Sequence, residues 1–182
     1  LEFRRVLFRS GVIIGLLENM IPYPFSFAPG AKLGLANLIT IVAIFTMKKR
    51  DSFLLLWLRL FLTTLLGGTI STFLYSMSGA LLSYFGMLLV KQLGPKRVSI
   101  IGISAAGGFM HNVGQLLMAS FIAQSWTVML YLPVLSVLGI LSGIAIGIAA
   151  NYLLRHVQTL QRFQKDYEQG TKQKWSPMFT KK

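Results

Sequence analysis

The sequence contains no cysteine. That one absence excludes a disulfide framework, a thiolate metal site and a cysteine nucleophile. Acidic residues are scarce as well: only five of 182 residues are Asp or Glu, against 18 Lys and Arg. There are two histidines, His111 and His156, and neither has the neighbours of a Ser-His-Asp arrangement or of a His/Cys metal motif. The Gly-rich phosphate loop of P-loop proteins is also missing, so ATP hydrolysis would have to come from another chain.

Apolar residues are abundant. They make up 54% of the chain, charged residues 13%, and the mean hydropathy is +0.63. A soluble domain of this size could not hide that excess in one core, so lipid must take it up. A segment crossing lipid has to satisfy its own backbone groups, which leaves helices or a closed barrel. The long unbroken apolar runs favour helices. The formal charge of +13 does not point to nucleic acid, because the basic residues sit in short clusters between apolar runs and in the tail.

The first ten residues, LEFRRVLFRS, form a charged decapeptide without the layout of a signal peptide. They match one translated frame of a short-read sequencing adapter. Residues 1–10 are therefore expected to be a non-native scar, with the authentic chain starting near Gly11 and its first helix truncated.

Spanning hydrocarbon takes roughly 20 helical residues. Candidate segments are 11–21, 33–47, 52–67, 69–90, 98–123 and 127–154, the second and third being short. Lys48, Lys49 and Arg50 follow the second segment, Lys91, Lys96 and Arg97 the fourth, and Arg155, Arg162 and Lys165 the sixth. The alternate connections, at Gly67-Gly68 and Gln124-Ser125, carry no Lys or Arg. By the positive-inside rule this predicts an all-α, polytopic membrane helical bundle with six transmembrane helices and both ends cytoplasmic. The expected domains are thus the scar, a transmembrane domain over 11–155, and a flexible polar cytoplasmic tail over 156–182 that lacks a sustained apolar period.

Two motifs occur in order within this pattern: PGAKLGLAN from Pro29 to Asn37, after an apolar helix containing Glu18, and HNVGQ from His111 to Gln115 in the fifth segment. Together they resemble the Gx transporter family, also labelled heptaprenyl diphosphate synthase component I, over about residues 11–155. That family is similar to the S-components of energy-coupling factor transporters of bacterial inner membranes. The resemblance implies a six-helix subunit that captures a vitamin-like molecule from outside, while a separate transmembrane scaffold and ATPase subunits drive uptake.

The polar residues inside the segments are the candidate site. His111, Asn112 and Gln115 fall at i, i+1 and i+4 and are expected to share one surface of their helix. Intramembrane polar groups usually face a partner or a watery cavity, so the trio is either a binding site or interhelical hydrogen-bond glue. Asn37 lies one turn into the second segment and Lys32 at its outer mouth. Either could reach a ligand, but Lys32 could equally snorkel to water and Asn37 could bond a neighbouring backbone. Glu18 could pair with Lys32 or bind a ligand cation. Tyr75, with Ser76 and Tyr131, could wall the pocket. Arg59, near the middle of the third segment, is expected mainly to stabilise the bundle or snorkel.

The loop Pro22 to Gly30, with three prolines and aromatics, could gate an outward pocket or simply form an interfacial belt. Gly139, Gly143 and Gly147 are expected to permit close helix packing. Gly11 and Gly15 repeat that spacing.

Two functions compete. One is a substrate-binding subunit for uptake of a vitamin-like compound or isoprenoid precursor. The other is a non-catalytic membrane accessory of a heptaprenyl diphosphate synthase. Such synthases hold magnesium with two aspartate-rich motifs. Here the only aspartates are Asp51 and Asp166, so the chain is not expected to be an enzyme. No cofactor and no nucleic-acid partner are expected; the lipid bilayer and a small molecule are.

Overall fold

The computed structural model describes residues 13, 37–67, 69–156, 158–169 and 175. Among them there are six α-helices and no strand: α1 (Asn37–Thr46), α2 (Lys49–Gly67), α3 (Ile70–Gln92), α4 (Ile100–Ile122), α5 (Leu132–His156) and α6 (Gln158–Glu168). A 3-10 turn, Trp126–Tyr131, leads into α5. The helices α1 to α5 fall on the second to sixth segments read from the sequence. The first segment, the loop Pro22 to Gly30, Glu18, Lys32, Gly11, Gly15 and Gly34 lie outside the described residues.

Among the described residues, α1 lies at the centre of the helices. Its sequence, NLITIVAIFT, is rich in β-branched residues that are poor intrinsic helix formers, so packing must hold it. Nine of its ten residues are buried, and it touches each of the other five helices among the described residues. A helix that is apolar all round belongs in an interior. Its last turn has carbonyls with no intrahelical donor. One of them is met from α3: Lys91 Nζ donates to the Ile44 oxygen at 2.7 Å and sits 4.4 Å from the Phe45 ring centroid.

On α2 the buried residues Ser52, Leu55, Leu56, Arg59 and Leu60 follow a helical stripe. The opposite face is just as apolar: Leu54, Leu58, Phe61 and Leu65 are all exposed. Exposed large apolar residues also cover α5, from Val134 and Val137 to Leu141, Ile148 and Tyr152. Two stretches, Ile70–Gln92 and Trp126–His156, are long and apolar enough to cross a membrane.

Caps fix the helix starts. The Thr69 hydroxyl accepts from Thr72 N and the Thr72 hydroxyl from Thr69 N, closing a capping box before α3. Ser99 caps α4 through Gly102 N. Between these helices Gly94 adopts φ 83°, the left-handed geometry that ends helices and suits glycine. The sixth segment was expected as one helix over 127–154. It instead opens with the 3-10 turn, and Pro133 stands in the first turn of α5, where its missing N–H costs nothing.

The reading of residues 156–182 as a flexible polar tail is corrected for its first part. Residues Gln158–Glu168 form α6, packed on α1 and α5. The buried stripe runs Leu160, Gln164, Glu168, a helical spacing whose members are mostly polar and therefore left no apolar period. Hydrogen bonds compensate their burial: Gln164 Nε2 donates to Glu168 Oε1 at 3.0 Å, and Trp175 N donates to the same oxygen at 2.8 Å. The Trp175 ring meets Phe45 edge-on, with centroids 5.1 Å apart.

Candidate functional site in the helical bundle

The polar interior is assembled around α4, which packs most extensively against α5 on one side and α3 on the other. Toward α5 the seam is made of small residues. A Cβ on Gly108 would strike the Gly139 carbonyl, one on Gly143 would lie 2.6 Å from the Ser104 oxygen, and one on Gly147 would lie 2.7 Å from Ile101 Cα. The packing expected for Gly139, Gly143 and Gly147 is what the structure has. In this seam Asn112 Nδ2 donates to the Leu135 oxygen at 2.5 Å, beside Gly139.

Toward α3 the contacts are equally close. Ser78 Oγ donates to the Gly114 oxygen at 2.7 Å. A Cβ on Gly79 would lie 2.9 Å from Gln115 Cγ and 3.0 Å from His111 Cε1, so these two side chains occupy the space that glycine leaves. Gly107 likewise accommodates Met87. Tyr75, Gly79, Ser83 and Met87 recur every fourth residue on α3 and so form its row toward α4. Tyr75 is half-buried in that row, whereas Tyr131 is more exposed, in the 3-10 turn.

The expectation that His111, Asn112 and Gln115 share one surface is therefore corrected. His111 and Gln115, one turn apart, lie against α3, while Asn112 turns about 100° away to α5. All three are buried, and so are Asn37 on α1 and Ser83 on α3.

For Arg59 the sequence leaves bundle stabilisation and snorkelling open, and the structure favours the first. The side chain does not snorkel: the residue is 3% exposed, and Nη1 donates to Thr40 Oγ1 on α1 at 3.4 Å. Its level can be traced. The Phe53 ring on α2 stands 5.7 Å from Tyr84 and 6.3 Å from Phe85 on the antiparallel α3. Six residues along α2 from Phe53, about 9 Å, is Arg59; the same distance back along α3 reaches Ser78 and Gly79, which face His111 and Gln115. Arg59 thus stands at the level of the α3–α4 polar pair. Asn37, one turn from Thr40 on the same face of α1, completes the layer.

At the basic end a second polar group ties helix ends together. Tyr84 OH donates to the Lys49 oxygen at 2.9 Å and lies 2.9 Å from Ser52 Oγ. Among the described residues, no three His, Asp or Glu side chains converge as a metal site would require.

The family model described as heptaprenyl diphosphate synthase component I matches residues 7–153. The chain belongs to the heptaprenyl diphosphate synthase component I family. No curated protein and no solved structure matches it. In this component I chain the match takes in the whole of α1 to α4, all but the last residues of α5, and every residue of the polar layer.

Proposed function

We propose that the chain is a six-span membrane subunit that binds a small, partly polar molecule within its bundle and serves its uptake. The observation that carries this reading is the buried layer of Asn37, Thr40, Arg59, His111 and Gln115 inside helices that are otherwise apolar within and without. Burying such groups in hydrocarbon surroundings is costly, and where they cluster they mark a ligand site or a polar path. The basic clusters at Lys48–Arg50 and Lys96-Arg97 orient the bundle with that end in the cytoplasm. Asn37 and Gln115 then lie on the outward side of the layer, with Tyr75 a turn further out along α3. Lys32 and Glu18, which lie outside the described residues, are included in the proposed site on their place in the sequence alone. Asn112 holds α4 against α5 beside it. Reorientation would be driven by a separate transmembrane scaffold and its ATPases.

The family description favours a second reading, a non-catalytic membrane accessory beside a soluble prenyl synthase. The same layer would then supply or sense an isoprenoid for that partner. Neither reading assigns bond chemistry to this chain, whose only aspartates, Asp51 and Asp166, form no aspartate-rich motif to hold magnesium on a diphosphate.

Partner capture separates the two. Cross-linking the full chain in the membranes of its own cell and identifying what co-purifies should recover a membrane scaffold with ATPases. Recovery of a soluble prenyl synthase instead would replace the uptake reading with the accessory one.

A further inference from the structure

We propose that α6 and Trp175 form a strap that shuts the basic end of the bundle, and that Glu168 is the pin whose release opens a way from that end to the polar layer. The inference rests on the proposed uptake function and gives it a gate on the side opposite the outer surface.

The strap grips the helix that carries part of the layer. Phe45, in the last turn of α1, is held by two groups from elsewhere: the Lys91 ammonium of α3, 4.4 Å from its ring centroid, and the Trp175 ring, edge-on at 5.1 Å. Lys91 also donates to the Ile44 oxygen. One carboxylate joins these pieces. Glu168 accepts from Gln164 Nε2 of α6 and from the Trp175 main chain, and its charge attracts the Lys91 ammonium. Thr40 and Asn37 of the layer stand on the same α1, within about two turns of Phe45.

A row of side chains connects layer and strap. On α3, Gly79 faces His111 and Gln115, and the next members of its row are Ser83, Met87 and Lys91. Ser83 is fully buried and its hydroxyl has no hydrogen-bond partner among the described residues, so a polar step stands between the two. Met87, unbranched and adaptable, fills the row below it in the space that Gly107 leaves. Lys91 ends the row at the strap.

The docking is of a kind that comes apart. The buried stripe of α6 is Leu160, Gln164 and Glu168, so hydrogen bonds and one charge hold it more than apolar area does, as in contacts that form and break. Docking also buries the Trp175 indole N–H without a partner among the described residues, a cost that undocking into water removes.

The chain has no cysteine, so single cysteines in the full chain in nanodiscs read both states, with a small water-soluble methanethiosulfonate as the probe. Leu160→Cys, under α6, reports undocking. Ser83→Cys reports access from the basic end, and Ser120→Cys, also buried but near the opposite end of α4, reports general loosening. Glu168→Ala should speed labelling of Leu160→Cys and Ser83→Cys about tenfold, as loss of a charge-assisted hydrogen bond implies, and leave Ser120→Cys unchanged. Trp175→Ala should act in the same direction. Unchanged Leu160→Cys labelling in both variants would show that α6 is not pinned this way. Faster Leu160→Cys without Ser83→Cys would show an undocking that opens nothing, and a rise in all three would show loosening of the whole bundle. Each of these overturns the strap and leaves the uptake reading in place. That reading is tested apart, by whether the wild type carries a small-molecule adduct: without one it falls, even where the strap controls Ser83→Cys.

Discussion

Asn112 of α4 donates its amide to the main-chain oxygen of Leu135 on α5, at the point where Gly139 lets the two helices approach. The next polar residue on either side of the helix, His111 or Gln115, turns instead to Gly79 of α3. One helix thus uses one side chain to fix its position and two to furnish an interior.

Replacing Asn112 by Ala should loosen the α4–α5 seam while leaving the His111 side of the helix in place. Interhelical hydrogen bonds in membranes contribute about 0.6–2 kcal/mol, so the melting temperature in detergent should fall by a few degrees with ligand affinity nearly unchanged. A loss of binding as large as that of His111→Ala would show that Asn112 belongs to the site.

The glycine seam predicts a graded response. Gly143→Leu should prevent α4 and α5 from closing, because even its Cβ would lie 2.6 Å from the Ser104 oxygen, and monodisperse protein should be lost. Gly102→Ala is the contrast: its Cβ would meet only Ser99 Oγ, at 3.6 Å, so stability should hold or rise slightly. Size-exclusion profiles of the two variants after heating report the difference.

These two pairs of residues also show what could be read from the sequence. The four-residue glycine repeat has one physical meaning in an apolar helix, and the structure has it. The polar trio was located, but the 100° turn between adjacent helix positions separates Asn112 from its neighbours, and which neighbour each faces depends on packing. Arg59 was visible as a costly residue. Its inward direction is set by packing, the bond to Thr40 of α1 included, which no local pattern announces. The helix Gln158–Glu168 was missed because its buried stripe is made of Gln164 and Glu168.

That helix supplies a further expectation. Trp175→Ala removes the edge contact to Phe45 and leaves α6 held by fewer contacts, so tryptic cleavage at Arg162 and Lys165 should accelerate several-fold in the intact protein. Lys91→Met should act at the same end, since the Ile44 carbonyl would lose its donor, at about 1–3 kcal/mol. Unchanged cleavage in Trp175→Ala would mean that the contact does not anchor the helix.

The absence of cysteine makes the proposed orientation directly measurable. Single cysteines at the exposed positions Ala123 and Lys96 lie at opposite ends of α4. In intact cells an impermeant maleimide should label Ala123→Cys, and Lys96→Cys only after lysis. The reverse pattern would invert the topology and place the outward side of the polar layer in the cytoplasm.

The central claim, that the polar layer binds a small molecule, is met most directly by native mass spectrometry of the full chain released gently from its own membranes. The wild type should carry an adduct of small-molecule mass that is missing from both His111→Ala and Gln115→Ala but present in Asn112→Ala. An unliganded wild type, or an adduct that all three variants retain, would contradict the account and leave the buried layer as interhelical bonding alone.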